Sequence, residues 1–187
     1  GELNELALVV EDEPKVAKLA RDYLENGGFR VLTAGDGLTG LANRTAFRDS
    51  LDRALAQAKK TGKGVNVLFL DLDNFKNVND TLGHPAGDSL IQQVAQRLQA
   101  TTRETDVVAR LGGDEFAVLQ EVRHDGRDAA IVLASRLLEV IGEPYMIDGD
   151  QAIGETSIGI ALGTTNSEVA IVENGKVTLI ADSEGRK

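Results

Sequence analysis

Eight short apolar runs, separated by stretches with helical spacing, divide this chain of 187 residues. Apolar runs of four to eight residues are typical of strands, and apolar residues three and four apart are typical of helices. The predicted strands lie near residues 6 to 10, 29 to 33, 65 to 71, 107 to 111, 116 to 122, 155 to 162, 168 to 172 and 177 to 181. The predicted helices lie near residues 15 to 26, 45 to 60, 87 to 101 and 127 to 141. This order predicts an α/β fold with a central mixed sheet and flanking helices.

The turn between the fourth and fifth predicted strands carries candidate chemistry. It reads Gly112-Gly113-Asp114-Glu115-Phe116. Two glycines allow the backbone to approach a ligand closely, and the two carboxylates that follow can be aimed at a cation. The pattern therefore predicts a hairpin whose turn belongs to a ligand site.

A second group of polar residues follows the third predicted strand. That strand ends at Asp71-Leu72-Asp73, and Lys76, Asn79 and Asp88 come after it. Ligands of α/β sheets usually bind at the carboxyl ends of strands. Acids, an amide and a lysine at this position therefore predict a ligand site at the end of the strand.

The turn and the strand together resemble the GGDEF domain of diguanylate cyclases, which join two GTP into cyclic diguanylate on a divalent metal. The resemblance covers about residues 37 to 162. It implies that Asp71, Asp114 and the Leu72 carbonyl bind Mg²⁺ or Mn²⁺, and that Asp114 and Glu115 are catalytic. The substrate contacts that it implies are Lys76, Asn79, Asp88, Gly112 and Gly113. Turnover in this family requires a homodimer that opposes two half-sites.

Some of these acids have simpler interpretations. An Asp at the end of a strand is often only a turn residue, and Asp73 is either a second metal ligand or a solvated strand end. The two histidines, His84 and His124, lack a partner at the spacing of metal ligands, so neither is expected to bind metal.

A second candidate site precedes the turn. Arg103 and Asp106 are three residues apart, and five residues separate Asp106 from Gly112. This offset resembles the RxxD site at which cyclases bind their own product, cyclic diguanylate. A guanidinium can bind phosphate through two hydrogen bonds, and a carboxylate can accept from guanine. The alternative is an ordinary surface ion pair at a helix end.

The amino-terminal part resembles a different family. A strand near residues 6 to 10 leads into Glu11 and Asp12, and a helix and another short strand follow. This β-α-β order is similar to the start of a response-regulator receiver domain, in which such acids bind Mg²⁺ beside a phosphorylated Asp. A phospho-acceptor role for Asp71 on the next strand is therefore a further alternative, although the receiver's later Thr or Ser and Lys are missing.

The carboxyl-terminal part resembles a third family. Two alternating runs around Asn174-Gly175 predict a hairpin. From about residue 158 to 187 the text is similar to the first hairpin of the ATPase domain of seventy-kilodalton heat-shock chaperones, but Ala161 stands where that family has an Asp. The hairpin takes the place of a final GGDEF helix that carries phosphate-binding cations.

Three resemblances without a linker between them suggest an engineered chimera. The expected parts are a receiver-like fragment over 1–37, a GGDEF-like domain over 38–162 and a chaperone-like hairpin over 163–187, packed as one compact domain. Two functions are consistent with such a chain. One is binding of Mg-GTP and cyclic diguanylate with weak or no turnover, and the other is a designed scaffold without ligand or catalysis.

Composition narrows the range of partners. The chain has 20 basic and 30 acidic residues, a net charge of −10, and no cysteine. Excess negative charge argues against nucleic acid and anionic membranes as partners, so phosphate groups would need local cations such as Lys76, Arg103 and Arg110. No membrane-span-length apolar stretch or signal peptide is visible, and we expect a soluble, cytoplasmic protein.

Overall fold

The computed structural model describes residues 6–9, 20, 23–24, 26–27, 30–33, 35–123, 126–163, 168–173 and 176–181. The helices are α1 (Arg44–Thr61), α2 (Phe75–Leu82), α3 (His84–Thr101) and α4 (Arg127–Gly142). The strands are β1 (Leu6–Val9), β2 (Arg30–Thr33), β3 (Gly64–Asp73), β4 (Val107–Gly112), β5 (Glu115–Val122), β6 (Tyr145–Ile147), β7 (Asp150–Ala152), β8 (Glu155–Gly163), β9 (Glu168–Glu173) and β10 (Lys176–Ala181). The predicted α/β class is confirmed. None of the helices in the described ranges is long and apolar enough to cross a bilayer.

The central sheet has six strands in the order β10-β9-β8-β3-β5-β4. Every pair of neighbouring strands in it is antiparallel. The mixed sheet predicted from the sequence is therefore wrong in this respect. The reason lies in the two helical crossovers. Each connects strands that run in the same direction, β3 to β4 and β5 to β8, but another strand lies between the two members of each pair. In the described residues, the one parallel pairing at this sheet is a bridge between Ala42 and Ala109.

Strand β3 is the centre of the sheet, with β5 on one side and β8 on the other. Its alternate residues Leu68, Leu70 and Leu72 belong to the larger core cluster, which α3 and α4 cover. The opposite face packs Val65 and Val67 under α1 in a smaller cluster. Side chains of a strand point alternately to opposite faces, so one buried strand organises both cores.

Helix α2 was missed by the sequence prediction, and α3 begins at His84 instead of residue 87. Helix α2 has only eight residues, and its N-cap Asn74 adopts a left-handed conformation without a side-chain capping bond. Pro85 lies in the first turn of α3, where a missing N–H is tolerated. The two-stranded ribbon of β6 and β7 was also missed, because strands of three residues give no periodic signal.

The terminal elements agree with the predicted strands. Strands β1 and β2 pair in parallel, and β9 and β10 form the predicted hairpin, which extends the main sheet beside β8. Most of the predicted helix over 15 to 26, together with Glu11 and Asp12, lies outside the described residues. Strands β1 and β2 form a separate two-stranded sheet, and the neighbours of β3 in the main sheet are β5 and β8.

Candidate functional site

The candidate site is built on the turn that joins β4 and β5. The backbone of Gly112 has φ of +144° and that of Gly113 has φ of +51°, and a side chain at either position would be strained. The pairing register of the two strands shifts between Arg110 and Gly112, as in a β-bulge. Two consecutive glycines thus allow this tight turn, as the sequence predicted.

The turn brings Asp114 beside the end of β3. Asp71 lies opposite Glu115 in the strand register, and the Leu72 N–H donates to the Asp114 carbonyl at 3.2 Å. Partial burial, together with the charges of Asp114, Glu115 and Asp73, raises the pKa of the Asp71 carboxyl. A hydrogen bond between the Asp71 and Asp114 side chains acts in the same direction. The two carboxylates that were predicted to share a metal therefore lie close enough for their charges to interact.

The Asp71 and Asp114 carboxylates and the Leu72 carbonyl are oxygen donors that fit a Mg²⁺ ion whose other ligands are water and phosphate. Within the described ranges, no group of three His, Cys, Asp or Glu side chains could hold a metal by itself. Two carboxylates and a backbone carbonyl leave room for water and nucleotide oxygens, which Mg²⁺ usually retains. Burial and the charges of the neighbouring acids both raise the pKa of Asp71, and a cation bound there would offset both effects.

The other acids at this edge have protein partners. Glu115 forms an ion pair with Arg44 at 3.5 Å, and the Arg44 Nε donates to the Leu111 carbonyl at 3.1 Å. Asp73 accepts a 3.0 Å hydrogen bond from the Ser157 hydroxyl. The contact to Ser157 favours the simpler interpretation of Asp73 as a strand-end residue.

Arg110 supports the turn from its other side. Its Nε and one terminal nitrogen donate to the Gly113 carbonyl at 3.0 and 2.9 Å, and its other terminal nitrogen contacts the Asp36 carboxylate at 3.3 Å. Burial opposes ionisation of Asp36, but hydrogen bonds from Thr39 and the charge of Arg110 outweigh it and lower the pKa of Asp36. Arg110 is thus engaged in holding the turn, although its sequence position suggested a nucleotide cation.

Besides the two turn glycines, the residues predicted to bind substrate lie on α2 and α3. Lys76 is exposed in the first turn of α2, Asn79 is partly buried in the same helix, and Asp88 is exposed on α3. The two helices pack against each other directly after β3. Helix α2 starts two residues after the end of β3, so Lys76 lies near the edge that carries Asp71.

The second candidate site lies at the far end of β4. The Asp106 carboxylate accepts a 2.9 Å hydrogen bond from the Arg103 backbone N–H, and the Asp106 N–H donates to the Arg103 carbonyl at 3.0 Å. The two hydrogen bonds between Arg103 and Asp106 therefore form a backbone turn, and they involve the main chain of Arg103 and not its guanidinium. This turn lies at the start of β4, and Gly112 is the last residue of the same strand. The six extended residues of β4 span about 20 Å, which separates the two candidate sites.

Two grooves accompany the two candidate sites. One, of about 470 Å³, lies beside the acids and is lined by residues that include Arg44, Phe69, Asp71 and Gly159. The other, of about 530 Å³, lies between α1 and strands β4 and β5, and its lining includes Arg53, Lys60 and Thr105. The lining of the larger groove includes none of the candidate metal ligands, and through Thr105 it adjoins the turn of Arg103 and Asp106.

Sequence reasoning missed three residues around the site. Asp36 precedes α1 and Arg44 is the first residue of α1, and their partners Arg110 and Glu115 are remote in sequence. Gly87 was seen only as the neighbour of Asp88, although a Cβ there would overlap Asn79. The segment from Asp36 to Arg44 opens the region that resembles a GGDEF domain, and this position was the one sequence signal for these two residues. Nothing in the sequence indicates the contact between Gly87 and Asn79.

The chain thus combines an antiparallel sheet, helical crossovers and a pair of acids at a glycine turn. The family described as "Diguanylate cyclase, GGDEF domain" matches residues 33–175, so the chain belongs to the GGDEF family. Over 143 residues it is 41% identical to the cyclic di-GMP phosphodiesterase NbdA of Pseudomonas aeruginosa, a match that covers 76% of this chain and 18% of that protein. It is also 42% identical over 144 residues to the diguanylate cyclase TpbB of the same species, covering 76% of this chain and 33% of TpbB.

Solved structures agree with this assignment. A sensory box/GGDEF family protein from Caulobacter crescentus superposes with a TM-score of 0.67 at 40% identity, over 69% of this chain and 83% of that one. The GGDEF domain of DgcB from the same species, solved in complex with c-di-GMP, gives a TM-score of 0.65 at 32% identity, over 70% and 78% of the two chains. The chain spans only 18% and 33% of the lengths of NbdA and TpbB.

Proposed function

We propose that this domain binds GTP with Mg²⁺ at the β4–β5 turn and binds cyclic diguanylate at Arg103 and Asp106, with weak or no cyclase turnover. The observation that carries the proposal is that the strand register and the backbone hydrogen bond from Leu72 to Asp114 bring Asp71 and Asp114 together, at a turn made possible by two glycines. Diguanylate cyclases of this family generally use Mg²⁺, and Mn²⁺ has the same oxygen preference. The acids and the turn are the parts of such a site that the chain supplies.

In this proposal each residue has one task. Asp71, Asp114 and the Leu72 carbonyl hold the metal, which would neutralise charge on the phosphates. Lys76 binds phosphate, Asn79 and Asp88 bind the guanine edge, and Gly112 and Gly113 let the backbone lie close to the nucleotide. Glu115 lies near the attacking hydroxyl. Turnover then needs a homodimer that places each 3′-hydroxyl in line with the α-phosphate of the other GTP.

Turnover is proposed to be weak because cations for the phosphates are few at this edge. Arg44 is paired with Glu115, and Arg110 is occupied by Asp36 and Gly113. The next element described after strand β8 is the β9–β10 hairpin, where the resemblance predicts a final helix with phosphate-binding cations. In-line attack tolerates little displacement, since misplacement by about 1 Å can cost about a hundredfold in rate.

The metal site is tested by calorimetry with GTP in the presence and absence of Mg²⁺. We expect binding that requires Mg²⁺ in the wild type and no binding in Asp114→Asn, which removes one metal ligand and leaves the backbone unchanged. Asp150→Asn is the matched control, because Asp150 is an exposed acid in the β6–β7 ribbon. Equal GTP binding by Asp114→Asn and wild type would refute this assignment of the metal site.

The product site is tested with cyclic diguanylate and the variant Arg103→Ala. Loss of a charged hydrogen-bond donor to phosphate should cost about 1.5–3 kcal/mol, or at least about a tenfold loss of affinity. Arg136→Ala, an exposed arginine on α4, controls for the change in net charge. Brisk synthesis of cyclic diguanylate by the wild type would contradict the proposed order of binding before turnover, and undiminished binding by Arg103→Ala would remove the product site.

The second candidate function is a designed scaffold that retains the GGDEF text without binding any ligand. The same occupied arginines favour it, together with our further proposal that the chain is an engineered chimera of a receiver-like fragment, a GGDEF-like domain and a chaperone-like hairpin. The calorimetry above decides between the two functions. A folded wild type that releases no heat with either GTP or cyclic diguanylate would leave only the scaffold.

A further inference from the structure

Helices α2 and α3 touch at a position where a glycine of α3 lies against a side chain of α2. Gly87 is buried in the first turns of α3 and faces the side chain of Asn79 on α2. A Cβ added at Gly87 would overlap the Asn79 Oδ1 and lie 2.9 Å from its Cγ and 3.3 Å from its Nδ2. The carboxamide of Asn79 therefore occupies the space that any other side chain at position 87 would need.

The structure also shows which group would yield to a larger residue. All three atoms nearest to the added Cβ belong to the Asn79 side chain, and none belongs to the backbone. Gly87 does not have the positive φ of Gly83 or Gly112, so alanine can adopt its conformation. Alanine is also the better helix former. A substitution at Gly87 would thus move the amide of Asn79 and leave the helices in place.

We propose that Gly87 is a positioning residue for nucleotide recognition, because it seats the Asn79 amide in the orientation that binds a guanine base. The next residue of α3 is Asp88, the other residue assigned to guanine. The dipeptide Gly87-Asp88 therefore contributes one recognition group itself and fixes the other. This inference rests on the proposed binding of GTP and adds a residue that has no side chain and no contact of its own with the nucleotide.

The first experiment measures the seat without any nucleotide. Nitrogen-proton correlation spectra record the side-chain amide of Asn79, whose signals are identified by their loss in Asn79→Ala. We expect these signals to shift in Gly87→Ala and to stay in place in Gly142→Ala. Gly142 is a matched control because it ends α4 and a Cβ there meets nothing within 4 Å. Unmoved Asn79 signals in Gly87→Ala would overturn the proposal.

The second experiment measures recognition by titrating GTP and ATP in Mg²⁺. We expect Gly87→Ala to lower the preference for GTP over ATP by about tenfold, the effect of about one lost hydrogen bond, while its unfolding temperature stays at or above that of wild type. The double variant Asn79→Ala/Gly87→Ala should bind GTP as Asn79→Ala does, because the displaced amide is already absent. An unchanged preference in Gly87→Ala would overturn the proposal.

The double variant also covers a failure of Gly87→Ala to fold. If the single variant unfolds and the double variant folds, the overlap with Asn79 is confirmed. If both unfold, Gly87 serves the packing of the helices and the proposal is wrong. If the wild type does not bind GTP, the proposed function fails and recognition by Asn79 fails with it. The amide spectra would then still show whether Gly87 seats Asn79, which separates the two results.

Discussion

The two faces of strand β3 differ in what covers them, although they belong to the same ten residues. On one face Leu68, Leu70 and Leu72 are nearly inaccessible beneath α3 and α4. On the other face α1 covers Val65 and Val67 only, and Phe69 remains 46% exposed with Asp71 and Asp73 beyond it. The comparison teaches that stability and ligand chemistry are separated by the alternation of a single strand.

The largest expected effect comes from neighbours on opposite faces. Leu68→Ala removes a fully buried side chain and should lower the free energy of unfolding by about 2–5 kcal/mol. Phe69→Ala removes a larger but half-exposed ring and should cost less than about 1 kcal/mol. Urea unfolding followed by circular dichroism measures both. Equal costs at the two positions would contradict the separation of the faces.

A smaller effect tests whether the covered face also supports the turn. Arg110 lies opposite Phe116, which belongs to the larger core, and its guanidinium links Asp36 to the Gly113 carbonyl. Asp36→Asn keeps the shape but removes the charge, so we expect a loss of about 1 kcal/mol at pH 7. Asp52→Asn, at an exposed position of α1, is the control.

The pH dependence of the same variant has a defined sign. The pKa of Asp36 is lower in the folded protein than its ordinary value of 3.8, so the folded state favours the charged form. Its contribution is complete above pH 3.8 and is lost as the pH falls through the lower, folded-state pKa. The stability difference between wild type and Asp36→Asn should therefore shrink in acid. A difference that is constant from pH 7 to pH 2 would show that charge plays no part.

The smallest effect concerns the open face without ligand. The pKa of Asp71 is raised above 3.8 in the folded protein, so folding opposes the ionisation of this carboxyl. The folded state therefore loses stability as the pH rises from 3.8 through the raised pKa. Asp71→Asn should abolish metal-dependent GTP binding, yet it should melt at a slightly higher temperature than wild type at pH 7. The two should melt alike well below pH 3.8. Thermal melts without metal measure this, with Asp150→Asn for comparison, and a lower melting temperature at pH 7 would refute the repulsion.

The sequence predicted strand β3 and the glycine turn because both leave local signals. A run of four apolar residues, Val67 to Leu70, precedes Asp71, and two glycines precede Asp114. Helix α2 is too short for a periodic signal, and the antiparallel pairing of the sheet depends on which strands insert between crossovers. Nothing local distinguishes an arginine that binds phosphate from Arg110, which binds Asp36 and Gly113.

The pairing of β3 with β5 has a consequence for the quality of any preparation. A strand that slips by one residue exchanges its two faces, so a shift here would turn Leu70 and Leu72 to solvent and Asp71 into the core. Such a molecule could not keep its larger core, and it would be lost with the unfolded fraction. The chain therefore folds only when Asp71 is aligned with Glu115. Every folded molecule should therefore carry a correctly aligned pair. The number of proposed nucleotide sites per folded chain should then be the same in every preparation.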